Sequence, residues 1–130
     1  MPVFGPNPGE PDPAQEMVDW INGAPVGELA AELMSAFDPH LADGVRPLAA
    51  SDFGDWMFRG FPPRTGFILR ARGVEESILE AIQLLEHSEL IFVRWIQDNA
   101  SRWNATRLGL AALADGKSTV RQRIADRTGL

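Results

Sequence analysis

The chain has no cysteine, a single lysine, two histidines and no long apolar run. Each shortage closes off a class of protein. Without cysteine there is neither a disulfide framework nor a thiolate metal site, and the redox compartment leaves no mark on the sequence. His40 falls in a predicted loop and His87 near a predicted helix end, a spacing that suits neither acid–base chemistry nor a metal. The phosphate-binding, dinucleotide and nucleophile-elbow patterns GxxxxGK[ST], GxGxxG and GxSxG are all missing. A non-enzyme without metal or cofactor is therefore expected. A bilayer span needs about 18 or more apolar residues, and no stretch approaches that. The N-terminus also lacks a basic segment followed by an apolar one, so the expectation is a soluble, cytoplasmic protein with no membrane partner.

What is present suffices for a folded unit. The chain has 130 residues, 45% of them hydrophobic, and four tryptophans, enough to bury one core. Arginine almost wholly replaces lysine, and Ala, Gly and Asp are plentiful, a bias that points to a high-GC bacterial or phage genome. The net charge of −6 hides a division. Residues 1–58 carry ten acids against Arg46 alone, whereas residues 59–130 carry eleven bases against eight acids. A polyanion would meet the second half and be repelled by the first.

Turn formers and apolar spacing divide the chain into parts. Residues 1–13 hold five prolines and no apolar periodicity, which predicts a flexible arm. An N-terminal helical part follows over 14–60. Its first helix is capped by Asp12-Pro13, stopped by Gly23, and has Met17, Trp20 and Ile21 on one face. Its second opens at Ala24-Pro25 and buries Val26, Leu29, Ala30, Leu33, Met34 and Phe37, with Glu28 and Glu32 facing water. Ser51-Asp52 caps a short third helix bearing Phe53, Trp56, Met57 and Phe58. Pro62-Pro63 marks the division from the unit 61–116.

Within that unit Thr65–Arg72 reads as helical turn or strand. Val74–Ser88 is the strongest helix, with Val74, Ile78, Ile82 and Leu85 in its stripe and Leu79 and Ala81 widening it. Phe92–Gln97 and Arg102–Thr106 read as a hairpin joined by Asp98–Ser101. Thr106 then caps Arg107–Asp115, Gly116 stops it, and Ser118 caps a basic C-terminal helix over 117–130 that carries Val120 and Ile124.

A helix running into a two-stranded ribbon and then a capped helix, over about residues 66–116, resembles the second half of a winged-helix (winged helix-turn-helix) domain. The fold class expected is mainly α with one β-hairpin: a winged-helix-like unit preceded by helices and followed by a short helix. The resemblance implies that Val74–Ser88 enters the major groove of DNA and that Arg94–Trp103 forms the wing. Arg64, Arg70, Arg72, Arg94, Arg102, Arg121 and Arg123 are then the phosphate contacts. Glu75, Glu76 and Glu80 depart from that pattern, because carboxylates at the start of a reading helix enter a field of phosphates.

Two functions follow as expectations. One is a small DNA-binding regulator of transcription, a homodimer if it reads palindromic sites. The other is an acidic winged-helix interaction module or adaptor that docks a protein and binds no DNA. Trp56, Phe58, Val120 and Ile124 are the candidate partner-interface residues.

Overall fold

The computed structural model describes residues 13–41, 47–60, 73–97 and 100–130, together with their side chains except at 13, 95–97 and 100. Helix α1 spans Pro13–Gly23, and α2 spans Val26–Met34 before tightening into a 3-10 turn at Ser35–Phe37. Strand β1 is the pair Leu48–Ala49, followed at once by α3, Ala50–Met57. Helix α4 covers Glu75–His87, strands β2 and β3 cover Ile91–Gln97 and Ala100–Ala105, and α5 and α6 cover Arg107–Asp115 and Lys117–Thr128. The architecture is mainly helical with a small antiparallel sheet, as the periodicity predicts. Arg64, Arg70, Arg72, the N-terminal arm and the Pro62-Pro63 boundary lie outside the described residues.

One apolar cluster joins the predicted parts. Helix α2 is buried along Leu29, Ala30, Ala31, Leu33 and Met34 and packs on both α4 and α6. Val74, Ile78, Ala81, Ile82 and Leu85 supply the facing stripe of α4. Leu79 does not widen that stripe: it lies beyond its edge and is exposed. On α1 the inward residues are Val18 and Ile21, and Trp20 turns outward where a shared face with Met17 and Ile21 is predicted. An edge-to-face chain of rings runs from Phe37 to Phe53 (centroids 5.5 Å apart) and on to Trp103 (6.3 Å), linking α2, α3 and the sheet.

The hairpin is present and longer than expected, because β3 begins at Ala100 and pairs with Gln97. The sheet order is β1-β3-β2. Leu48 pairs with Trp103 and Ala49 with Arg102, so a two-residue segment too short to show alternation becomes the third strand. Between the pairs Val93↔Trp103 and Trp95↔Arg102 one residue of β2, Arg94, has no opposite number: a β-bulge.

One cap is met in part, one differs from expectation and one agrees. Helix α3 starts one residue ahead of Ser51; of the predicted Ser51-Asp52 cap it is Asp52 that acts, reaching back so that its carboxylate accepts from the Ala49 N–H at 2.8 Å. Helix α6 starts at Lys117 with Gly116 at the cap position, which puts Ser118 inside the first turn. Thr106 caps α5 as predicted, its Oγ1 accepting from the Gly109 N–H at 2.9 Å.

Helix α4 ends in a Schellman motif: Leu90 N–H donates to the Leu85 carbonyl at 3.1 Å and Glu89 N–H to that of Glu86 at 3.0 Å. The left-handed position there is Glu89, at φ 62°, where glycine is the usual occupant. Replacing Glu89 with Gly is expected to raise stability by up to about 1 kcal/mol, since a Cβ in this region is strained. The exposed Glu89–Arg127 pair that is lost offsets little of this. A thermal midpoint that falls in Glu89→Gly would contradict the assignment of strain to this residue.

Candidate interaction surface

The charge division of the sequence is resolved inside the fold. Glu28 of α2 accepts from Arg121 Nε of α6 at 2.9 Å, Glu32 pairs with Lys117, and Asp52 lies 3.8 Å from Arg102 on β3. All three join an acid of the first half to a base of the second. Glu89 likewise holds Arg127 at 3.0 Å. Pairs this exposed stabilise the fold by about 0–1 kcal/mol each. Their larger effect is on the outward field, because a guanidinium already facing a carboxylate attracts a phosphate less.

The predicted phosphate contacts separate accordingly. Arg121 is a structural clamp: it holds Glu28, donates to the Leu130 carbonyl, and lies across Gly27, where an added Cβ would come within 2.8 Å of its Cζ. Arg102 is engaged by Asp52. Arg94, in the bulge of β2, and Arg123, on the outward side of α6, are exposed; among the described residues their side chains and that of Arg107 make no hydrogen bond or ion pair. Of the seven arginines expected to meet DNA, the structure thus leaves two exposed and unengaged within the described residues.

Helix α4 presents the opposite sign. Glu75, Glu76, Glu80, Gln83 and His87 are exposed with Leu79 among them. Ser77, the neutral polar residue of that first turn, is drawn aside: its hydroxyl donates to Asn22 Oδ1 at 2.6 Å, tying α4 to the end of α1. Asn22 in turn donates to the Gly73 carbonyl at 3.5 Å. The acidic side chains therefore dominate the face that the resemblance turns toward a groove.

Three of the four predicted partner residues belong to the core. Val120, Ile124 and Phe58 are buried against α2 and its neighbours, so they cannot supply a surface to a second molecule. Trp56 is half-buried, its Nε1–H donating to the Glu32 carbonyl at 3.1 Å. The apolar stripe of α6 was legible; that its counterpart is α2 of the same chain was not.

The outer strand of the hairpin forms where it is predicted, but its exposed apolar side chains are not legible in the sequence. Strand β2 is one of the two sheet edges, and Phe92 and Val93 are 44% and 43% exposed beside Arg94. Trp103 of the hairpin faces inward, its indole N–H donating to Glu86 Oε1 at 2.7 Å. No group of histidine or carboxylate side chains able to hold a metal occurs among the described residues, and no helix among them is long and apolar enough to cross a membrane. Neither a family model, nor a curated protein, nor a solved structure matches this chain.

Proposed function

We propose that this chain is an interaction module of winged-helix-like design that docks a positively charged protein partner and does not read DNA with the helix ahead of its hairpin. The observation that carries this reading is the disposition of charge. Arg102, Lys117, Arg121 and Arg127 are each held by an acid, whereas Glu75, Glu76 and Glu80 stand exposed on α4 with no basic partner among the described residues. A duplex approaching α4 would meet carboxylates first, at a cost that grows as salt is lowered. A basic protein surface would gain from the same field. A cytoplasmic location accompanies this reading. Homodimerisation through Val120 and Ile124 does not, because those side chains are buried in the monomer.

A second reading, DNA binding, is favoured by one observation: Arg94 is exposed in the bulge with no partner among the described residues, and Arg123 is equally free. Fluorescence anisotropy with a labelled duplex at low salt separates the two. The intact chain is expected to show no saturable binding below about 100 µM, the weak end of ordinary non-specific affinity. Micromolar binding that falls steeply with salt, and that Arg94→Ala with Arg102→Ala weakens for every sequence alike, would establish the second reading instead. In parallel, Glu75→Lys with Glu76→Lys and Glu80→Lys should abolish capture of protein partners from nuclease-treated extract. Capture unchanged by that triple reversal would overturn the assignment to α4.

A further inference from the structure

Helices α1, α2 and α3 enclose an open groove of about 320 Å³ that plays no part in the reading above. Among the described residues it is lined by Met17, Trp20, Glu32, Met57 and Arg59. Met17 and Trp20 border it from α1. Arg59 lies in the turn after α3, two residues past Met57, and folds back over Trp56.

We propose that this groove is a binding site for a small aromatic carboxylate. Its apolar part is suited to a flat hydrocarbon body. Trp20 leaves 43% of its surface uncovered, and the thioethers of Met17 and Met57 are polarisable and adapt to a ring edge. Its size falls at the lower end of the range for small-molecule sites, about 300–1,000 Å³.

Charge decides the polar end of the ligand. The Arg59 guanidinium lies 4.0 Å from the centroid of the Trp56 ring, and its Nη1 donates to the Trp56 carbonyl at 2.9 Å. Trp56 is itself anchored by its indole N–H on the Glu32 carbonyl. The plane of the guanidinium is therefore held before any ligand arrives, which lowers the entropy lost on binding. A guanidinium has five N–H donors, and only the one to Trp56 is engaged among the described residues. A carboxylate matches the remaining fork. The acid in the lining, Glu32, is occupied by Lys117, so a cationic ligand would have to displace a lysine while an anion need displace nothing.

Nuclear magnetic resonance of the full chain tests this, with phenylacetate, 2-phenylethanol and phenethylamine as anionic, neutral and cationic probes of one shape. Phenylacetate is expected to shift the Trp20 indole N–H and the Met17 and Met57 methyl signals saturably. The neutral probe should bind about tenfold more weakly, the difference one charge-assisted bidentate contact makes. Arg59→Gln, an exposed position, should remove that advantage without altering the alcohol's affinity, and Trp20→Ala should weaken both. No saturable shift at about 10 mM, far above the ordinary range for a built site, would overturn the proposal. So would tighter binding of the amine, or an Arg59→Gln protein that holds phenylacetate as before. None of these outcomes bears on whether α4 docks a protein.

Discussion

Gly109→Ala is expected to destabilise the fold by about 3 kcal/mol, although alanine ordinarily improves a helix by about 1 kcal/mol over glycine. A Cβ at this position would lie 2.1 Å from the Leu90 carbonyl oxygen and 2.8 Å from the Met34 Cε. The methionine end can swing away; the carbonyl cannot. It already accepts from the Thr106 N–H at 2.9 Å and belongs to Leu90, the buried residue that completes the Schellman motif of α4. Helix α5 would have to lift off the link between α4 and β2. Urea unfolding measures the change as a displaced midpoint, with Gly23→Ala as the comparison, since a Cβ there meets nothing within 4 Å. Equal midpoints for the two variants would show that α5 is free to shift and that the close approach is not a constraint.

The second large effect belongs to Trp103. Truncation to alanine is expected to cost about 3–5 kcal/mol, the usual range for a large buried aromatic. This side chain sits where four elements meet. It extends from β3, pairs across to Leu48 of β1, stacks edge-on with Phe53 of α3, and donates to Glu86 of α4. Trp103→Phe separates the contributions. It keeps a ring against Phe53 and loses the N–H to Glu86, so about 1 kcal/mol is expected, because the half-exposed carboxylate can turn to water. If Trp103→Phe proved as damaging as Trp103→Ala, the hydrogen bond rather than the packing would be the anchor of the hairpin.

Periodicity carried most of the fold. The stripe from Val74 to Leu85, the run from Leu29 to Phe37 and the Thr106–Gly116 helix are each local patterns, and each forms where a local pattern places it. What escaped depends on distant partners. Strand β1 is two residues long, and only the register of Trp103 and Arg102 makes it a strand. Trp20 looks like core by its spacing from Met17, but α1 lies at the rim, where one of its apolar side chains stays out. Val120 and Ile124 could be read as an inward stripe, yet no spacing says whether an apolar face meets its own chain or another.

The candidate site was less legible for the same reason. Arginines at 94, 102, 121 and 123 look equivalent along the chain. Their neighbours across the fold, Asp52 for one and Glu28 for another, make them inequivalent. The Trp56–Arg59 stack is local and was within reach, because the two residues lie three apart where α3 runs out into its closing turn. Its completion by Met17 and Trp20 was not, since those belong to a helix about forty positions earlier.

The cross-pairing of early acids with late bases bears on how any fragment of this protein behaves. A piece starting after α3 would carry Lys117, Arg121 and Arg102 stripped of the carboxylates that quench them. It would also lack α2, the hub of the buried cluster, and would stick to polyanions as a partly folded cation. Nucleic-acid affinity measured on such a piece reports amputation, not recognition.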